Sequence, residues 1–142
     1  MRKSTLTLGL PVRALLIVVL AACGGGGSSD DDVIEVGRTV YERDCMICHG
    51  EARTGESGLA NAPVHGPQGH TWHHPDGQLR DLILGSLDYP GKTMPSFVGR
   101  LTDSEVDAVL EYIKTNWDEP QLEYQAEVSR RELELSGGKE SP

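Results

Sequence analysis

The sequence predicts an all-α domain, and three observations carry that expectation. Apolar residues of the segment after Thr102 recur at helical spacing, and those of a second segment before Cys45 do the same. Nowhere do apolar and polar residues alternate as a half-buried strand requires.

From Val33 to Asp44, Ile34, Gly37, Val40 and Tyr41 fall at helical spacing between charged residues, so a helix should run into Cys45. Residues 51–69 are rich in Gly and Pro and should be loop. His74-Pro75-Asp76-Gly77 opens a short helix, with Pro75 tolerated in the first turn, Leu79, Leu82 and Ile83 on the buried face and Gly85 at its end. Residues 86–100 are again loop, punctuated by Pro90, Gly91, Pro95 and Gly99. Thr102 and Glu105 then form a capping box, and Val106, Val109, Leu110, Ile113 and Trp117 make one apolar stripe. The domain is expected over 33–117. Residues 118–142 are mostly polar; a short helix over 122–133 fits their composition and would need support from the domain.

The first 22 residues read as a targeting segment. Arg2 and Lys3 precede the apolar run from Ala14 to Leu20, which is shorter than the ~20 residues a membrane-spanning helix needs. The run ends in Leu20-Ala21-Ala22-Cys23, similar to a bacterial lipoprotein box in which Cys23 is acylated; an ordinary cleaved signal is the alternative. Each buried CH₂ of such an anchor contributes ~0.8 kcal/mol. Residues 23–32 then read as a flexible Gly/Ser/Asp tether with nothing apolar to bury. The expected location is therefore outside the cytoplasm, periplasm-facing, on a bacterial membrane, with the outer one favoured.

The 142 residues carry 13 basic and 22 acidic side chains, for a net charge of −9. Without Arg2, Lys3 and Arg13 of the leader, 10 basic residues face 22 acidic ones, or −12. Such a chain offers no basic face for phosphate backbones, which argues against nucleic acid. It favours a partner with a basic docking patch. Setting Cys23 aside, only Cys45 and Cys48 remain, too few for a disulfide framework.

Those two stand in Cys45-Met46-Ile47-Cys48-His49. Two thiols three positions apart at a helix end can reach both vinyl groups of a haem, and the following histidine can reach its iron: this is the c-type attachment pattern. A zinc site would need further ligands that the cysteine count does not supply, and a thioredoxin-like pair would need a βαβ context. For the sixth iron ligand, Met1 leaves with the leader and Met46 lies inside the attachment loop, so Met94 is left by exclusion, in Gly91-Lys92-Thr93-Met94-Pro95-Ser96-Phe97. A histidine in its place, giving a bis-histidine site, is the alternative.

The order helix, Cys-x-x-Cys-His, loop, short helix, Met-Pro loop, last helix resembles class I cytochrome c. The resemblance covers about 33–117. It implies a single domain of three to five helices wrapped around one covalent haem c, and an electron carrier with redox proteins as partners, expected to be a monomer. It also implies that the first and last helices cross at Gly37 and Tyr41 against Val109 and Tyr112. Pro63 would accept a hydrogen bond from the proximal His49, with Pro67 as its rival. Gly69-His70-Thr71-Trp72-His73-His74-Pro75-Asp76 is similar to a block found in small exported bacterial monohaem cytochromes.

Three functions follow. A carrier keeps its iron six-coordinate between His49 and Met94. A haem enzyme or gas sensor needs an open sixth site with acid–base groups nearby. A copper- or zinc-handling protein would rest on His65, His70, His73 and His74, since imidazole suits both metals. The bland reading of that cluster is service at the haem edge, with Trp72 or a histidine donating to a propionate or packing on the haem.

Overall fold

A computed structural model describes residues 29–137. Residues 1–28, which include the leader, Cys23 and most of the expected tether, and 138–142 lie outside the described residues. Helix α1 (Asp30–Val40) starts three residues earlier than its apolar spacing indicates. Ser29 is its cap: Ser29 Oγ accepts from the Asp32 N–H (3.2 Å) and the Asp32 carboxylate accepts from the Ser29 N–H (3.1 Å). Asp30, Asp31 and Asp32 thus fill the first turn, where acidic groups complement the helix dipole, and are not tether.

The chain continues through a π-helical turn (Tyr41–Cys45) into the short α2 (Met46–His49). Helix α3 (Asp76–Leu84) ends on Gly85, which takes the left-handed conformation at φ 82°. Helix α4 (Asp103–Lys114) carries the expected box, Thr102 capping the Glu105 N–H while the Glu105 carboxylate accepts from the Thr102 N–H. It stops before Trp117, which follows in a turn with its N–H bonded to the Lys114 carbonyl. Among the described residues the only strand-like feature is an isolated bridge between Val98 and Leu101.

Helices α1 and α4 cross at Gly37. A Cβ there would lie 1.9 Å from the Ala108 carbonyl oxygen and 2.8 Å from Tyr112 Cβ, so only glycine permits the approach. Tyr41 and Tyr112 meet at 5.4 Å between ring centroids. The crossing partner is thus Ala108 rather than the expected Val109, which instead packs in the core one position along. Val40, Tyr41, Phe97, Leu101, Val106, Val109, Ile113 and Trp117 form that core. Tyr41 is wholly buried, and its hydroxyl donates to the Gly50 carbonyl (3.0 Å).

Helix α5 (Glu119–Gly137) is longer than the expected 122–133 and is not an appendage. It packs on a 3₁₀ turn (Thr71–His73) and on α3, and its Gln125 is 3% exposed. The domain therefore extends beyond the expected boundary at Trp117. No helix among the described residues is long and apolar enough to cross a membrane.

Candidate haem site

The π turn and α2 bring Cys45, Cys48 and His49 to one wall of a cavity of about 960 Å³. Gly50 at φ 72° ends the helix directly behind them; a Cβ there would stand 2.4 Å from the Gly55 carbonyl oxygen. Helix α3 contributes Leu79, Leu82 and Ile83, α4 contributes Val109, Leu110 and Ile113, and the loop between them contributes Met94 and Phe97.

His49 is buried, and its Nδ1 lies 2.8 Å from the Pro63 carbonyl oxygen. A carbonyl only accepts, so Nδ1 must carry the proton and Nε2 keeps its lone pair free for a metal. Of the two prolines weighed for this contact, Pro63 makes it. Cys45 and Cys48 are not bridged to each other. Burial pushes the Cys45 thiol up to about 12, with Asp44 adding to the effect.

Met94 sits in a tied-down loop. The Phe97 N–H donates to the Ile83 carbonyl (3.0 Å), Ser96 Oγ donates to the Leu84 carbonyl (2.5 Å) and Lys92 Nζ donates to the Leu87 carbonyl (2.6 Å). The first two bonds attach the flank after Met94 to the end of α3, and the third ties the flank before it to Leu87, just past that helix. Two thiols, the thioether of Met94, the His49 ring with His65, His70 and His74 farther along the wall, and otherwise mainly apolar side chains make a lining that fits a haem.

Of the remaining histidines, His70 keeps its ring near those of His73 (centroids 4.3 Å apart) and His74 (5.1 Å). His65 stacks beside His49, with ring centroids 4.2 Å apart, and its Nδ1 is 2.8 Å from Thr71 Oγ1. Trp117 Nε1 donates to the His65 carbonyl (2.5 Å). Burial, with the neighbouring His49 second, holds the His65 ring down at about 3, so it is neutral at physiological pH. Spacing gave no signal for this placement, since residues 63–65 belong to no regular element. His73 stacks under Trp72 at 3.5 Å, and His74 Nδ1 lies 3.1 Å from Gln78 Oε1. Among the described residues no three His, Cys, Asp or Glu side chains gather to hold a metal ion.

Trp72, expected at a propionate or against the haem, does not line the cavity. It lies between His73 and Tyr124, and its buried Nε1 has no hydrogen-bond partner within the protein. His70, Thr71 and His74 line the wall in its place.

A family model described as "Cytochrome C oxidase, cbb3-type, subunit III" matches residues 32–113, more than half of the chain, including the attachment motif and Met94. No curated protein and no solved structure matches. The chain belongs to this family of cytochrome c domains, and its cofactor is haem c, bound covalently through Cys45 and Cys48.

Proposed function

We propose that this protein is an exported monohaem electron carrier in which His49 and Met94 are the axial ligands, held to its membrane by lipid on Cys23. The observation that carries the ligand assignment is that one cavity collects Cys45, Cys48, His49 and Met94. When bound, haem supplies one reversible electron at its iron. The chain's own residues set the conditions for that exchange. His49 presents Nε2 because Pro63 fixes the proton on Nδ1, which also raises the basicity of the ring. The loop bonds from Phe97, Ser96 and Lys92 hold the Met94 thioether in place, so little need rearrange when the charge changes. Leu79, Ile83, Phe97 and Ile113 keep water from the cavity, and a low dielectric with a thioether ligand favours the reduced, less charged state. The donors and acceptors are redox proteins with basic docking surfaces, matching the −9 charge of the full chain, and the carrier works as a monomer.

The test is an absorption spectrum of each redox state. The wild-type ferric protein should be low-spin with a methionine–iron charge-transfer band, and its colour should survive acidified acetone. Met94→Ala should become high-spin or misligated, with a lower potential. A variant that keeps the wild-type spectrum and potential would remove Met94 from its role. A wild-type ferric spectrum that is high-spin and shifts with peroxide would favour the enzyme reading instead.

A further inference from the structure

Helix α5 lies beyond the residues that the family match covers, yet it touches two walls of the haem cavity. The first is α3. Its capping residue is Pro75, which offers no side-chain oxygen, so the first N–H groups of α3 need partners from elsewhere. They come from α5: Ser129 Oγ accepts from the Asp76 N–H (3.0 Å) and the Glu132 carboxylate accepts from the Gly77 N–H (2.9 Å). Between them the buried Gln125 Nε2 donates to Asp76 Oδ1 (2.8 Å), while Lys114 of α4 donates to the other oxygen of Asp76 (2.9 Å). The second wall is the segment carrying His70, Thr71 and His74, where Tyr124 meets Trp72 and His73 edge-on at 5.5 Å each.

The far end of α3 holds the Met94 loop through the Ile83 and Leu84 carbonyls. A continuous mechanical path therefore runs from Ser129 and Glu132, along α3, to Ser96 and Phe97 on the flank after Met94. We propose that α5 is a brace that keeps the Met94 side of the haem cavity closed, with Gln125, Ser129 and Glu132 as positioning residues that act through α3. The inference rests on the reading of Met94 as iron ligand. It follows from the fact that a helix whose first turn is satisfied only by another helix frays when that helix is removed. Fraying at Asp76 would free Leu79 first, then the Ile83 and Leu84 anchor points.

The experiment is titration of the full-length ferric holoprotein with imidazole, which enters only where the methionine side opens. Ser129→Ala with Glu132→Ala should raise imidazole affinity by about tenfold, because a larger open population raises apparent affinity in proportion. Gly77→Ala attacks the same contact from α3: its Cβ would stand 2.3 Å from the Glu132 carboxylate and displace it, while alanine itself favours helix. It should also raise imidazole affinity. Exchange of the backbone amide at position 77 should speed up in both variants. Arg130→Ala, whose partners Glu127 and Glu134 lie on α5 itself, should match wild type. Wild-type imidazole affinity in both clamp variants, with faster amide exchange at position 77, would overturn the brace while leaving Met94 ligation intact. Absence of the methionine–iron band in the wild type would overturn both readings together.

Discussion

His65 and His49 share one buried corner, and what each does there depends on which of its nitrogens has a partner. His49 donates its Nδ1–H to the Pro63 carbonyl, which in the proposed carrier leaves Nε2 to the iron. His65 is held neutral, since burial and then its neighbour His49 disfavour a second charge. Its pKa is depressed on folding from 6.5 to about 3, so the unfolded chain binds a proton that the folded chain refuses. The sign follows: its contribution is fully present above about pH 6.5 and is lost as acid takes the solution down toward pH 3. Urea midpoints measured across that window should therefore fall more steeply with acid in wild type than in His65→Leu. Parallel pH profiles would show that His65 is not the group responsible. Of these two roles, the motif Cys45–His49 announced the first. The second was hidden, because His65 read as part of a cluster from which the fold separates it.

At the scale of the element, two helices are decided by single residues. Gly37 permits the α1–α4 crossing, and a methyl placed 1.9 Å from the Ala108 carbonyl oxygen must push the helices apart. Gly37→Ala should cost about 1–3 kcal/mol, the range of overpacked cores, despite the better helix propensity of alanine. A urea midpoint at or above the wild-type value would mean that the crossing tolerates a side chain. Thr102→Ala removes the α4 cap and should cost about 1 kcal/mol by the same measurement, with the absorption spectrum unchanged. Both features were legible in sequence, the cap from Thr102 and Glu105, the crossing from resemblance. The start of α1 was not. Asp30, Asp31 and Asp32 carry no apolar residue, so periodicity had nothing to report, whereas their charge and the Ser29 cap were the operative signals.

At the scale of the whole molecule, charge and the haem edge act together. In the proposed carrier, a net charge of −9 would draw a basic partner toward the domain. Its electron-transfer rate constant with a basic redox protein should fall by about tenfold between about 0.01 M and about 0.15 M salt, where the screening length drops below the size of the domain. A stopped-flow rate that ignores salt would indicate docking through apolar contacts instead, and exposed Ile47, 78% accessible and inside the attachment motif, is where such contacts would form. The domain is also larger than its apolar stripes suggest. Helix α5 is polar, and it meets α3 through hydrogen bonds: Gln125 donates to the Asp76 carboxylate, while Ser129 and Glu132 accept from the Asp76 and Gly77 N–H groups.

What the sequence alone determined is local chemistry: the attachment motif, the capping box at Thr102, the apolar stripe of α4 and the all-helical class. Each depends on residues within a few positions of one another, so spacing suffices to read it. The tertiary structure alone decided which proline meets His49, which histidines lie near the cavity and that the polar tail joins the domain. Those outcomes rest on contacts between residues far apart in the chain, such as the Gly77 N–H and Glu132, whose closure no local periodicity encodes.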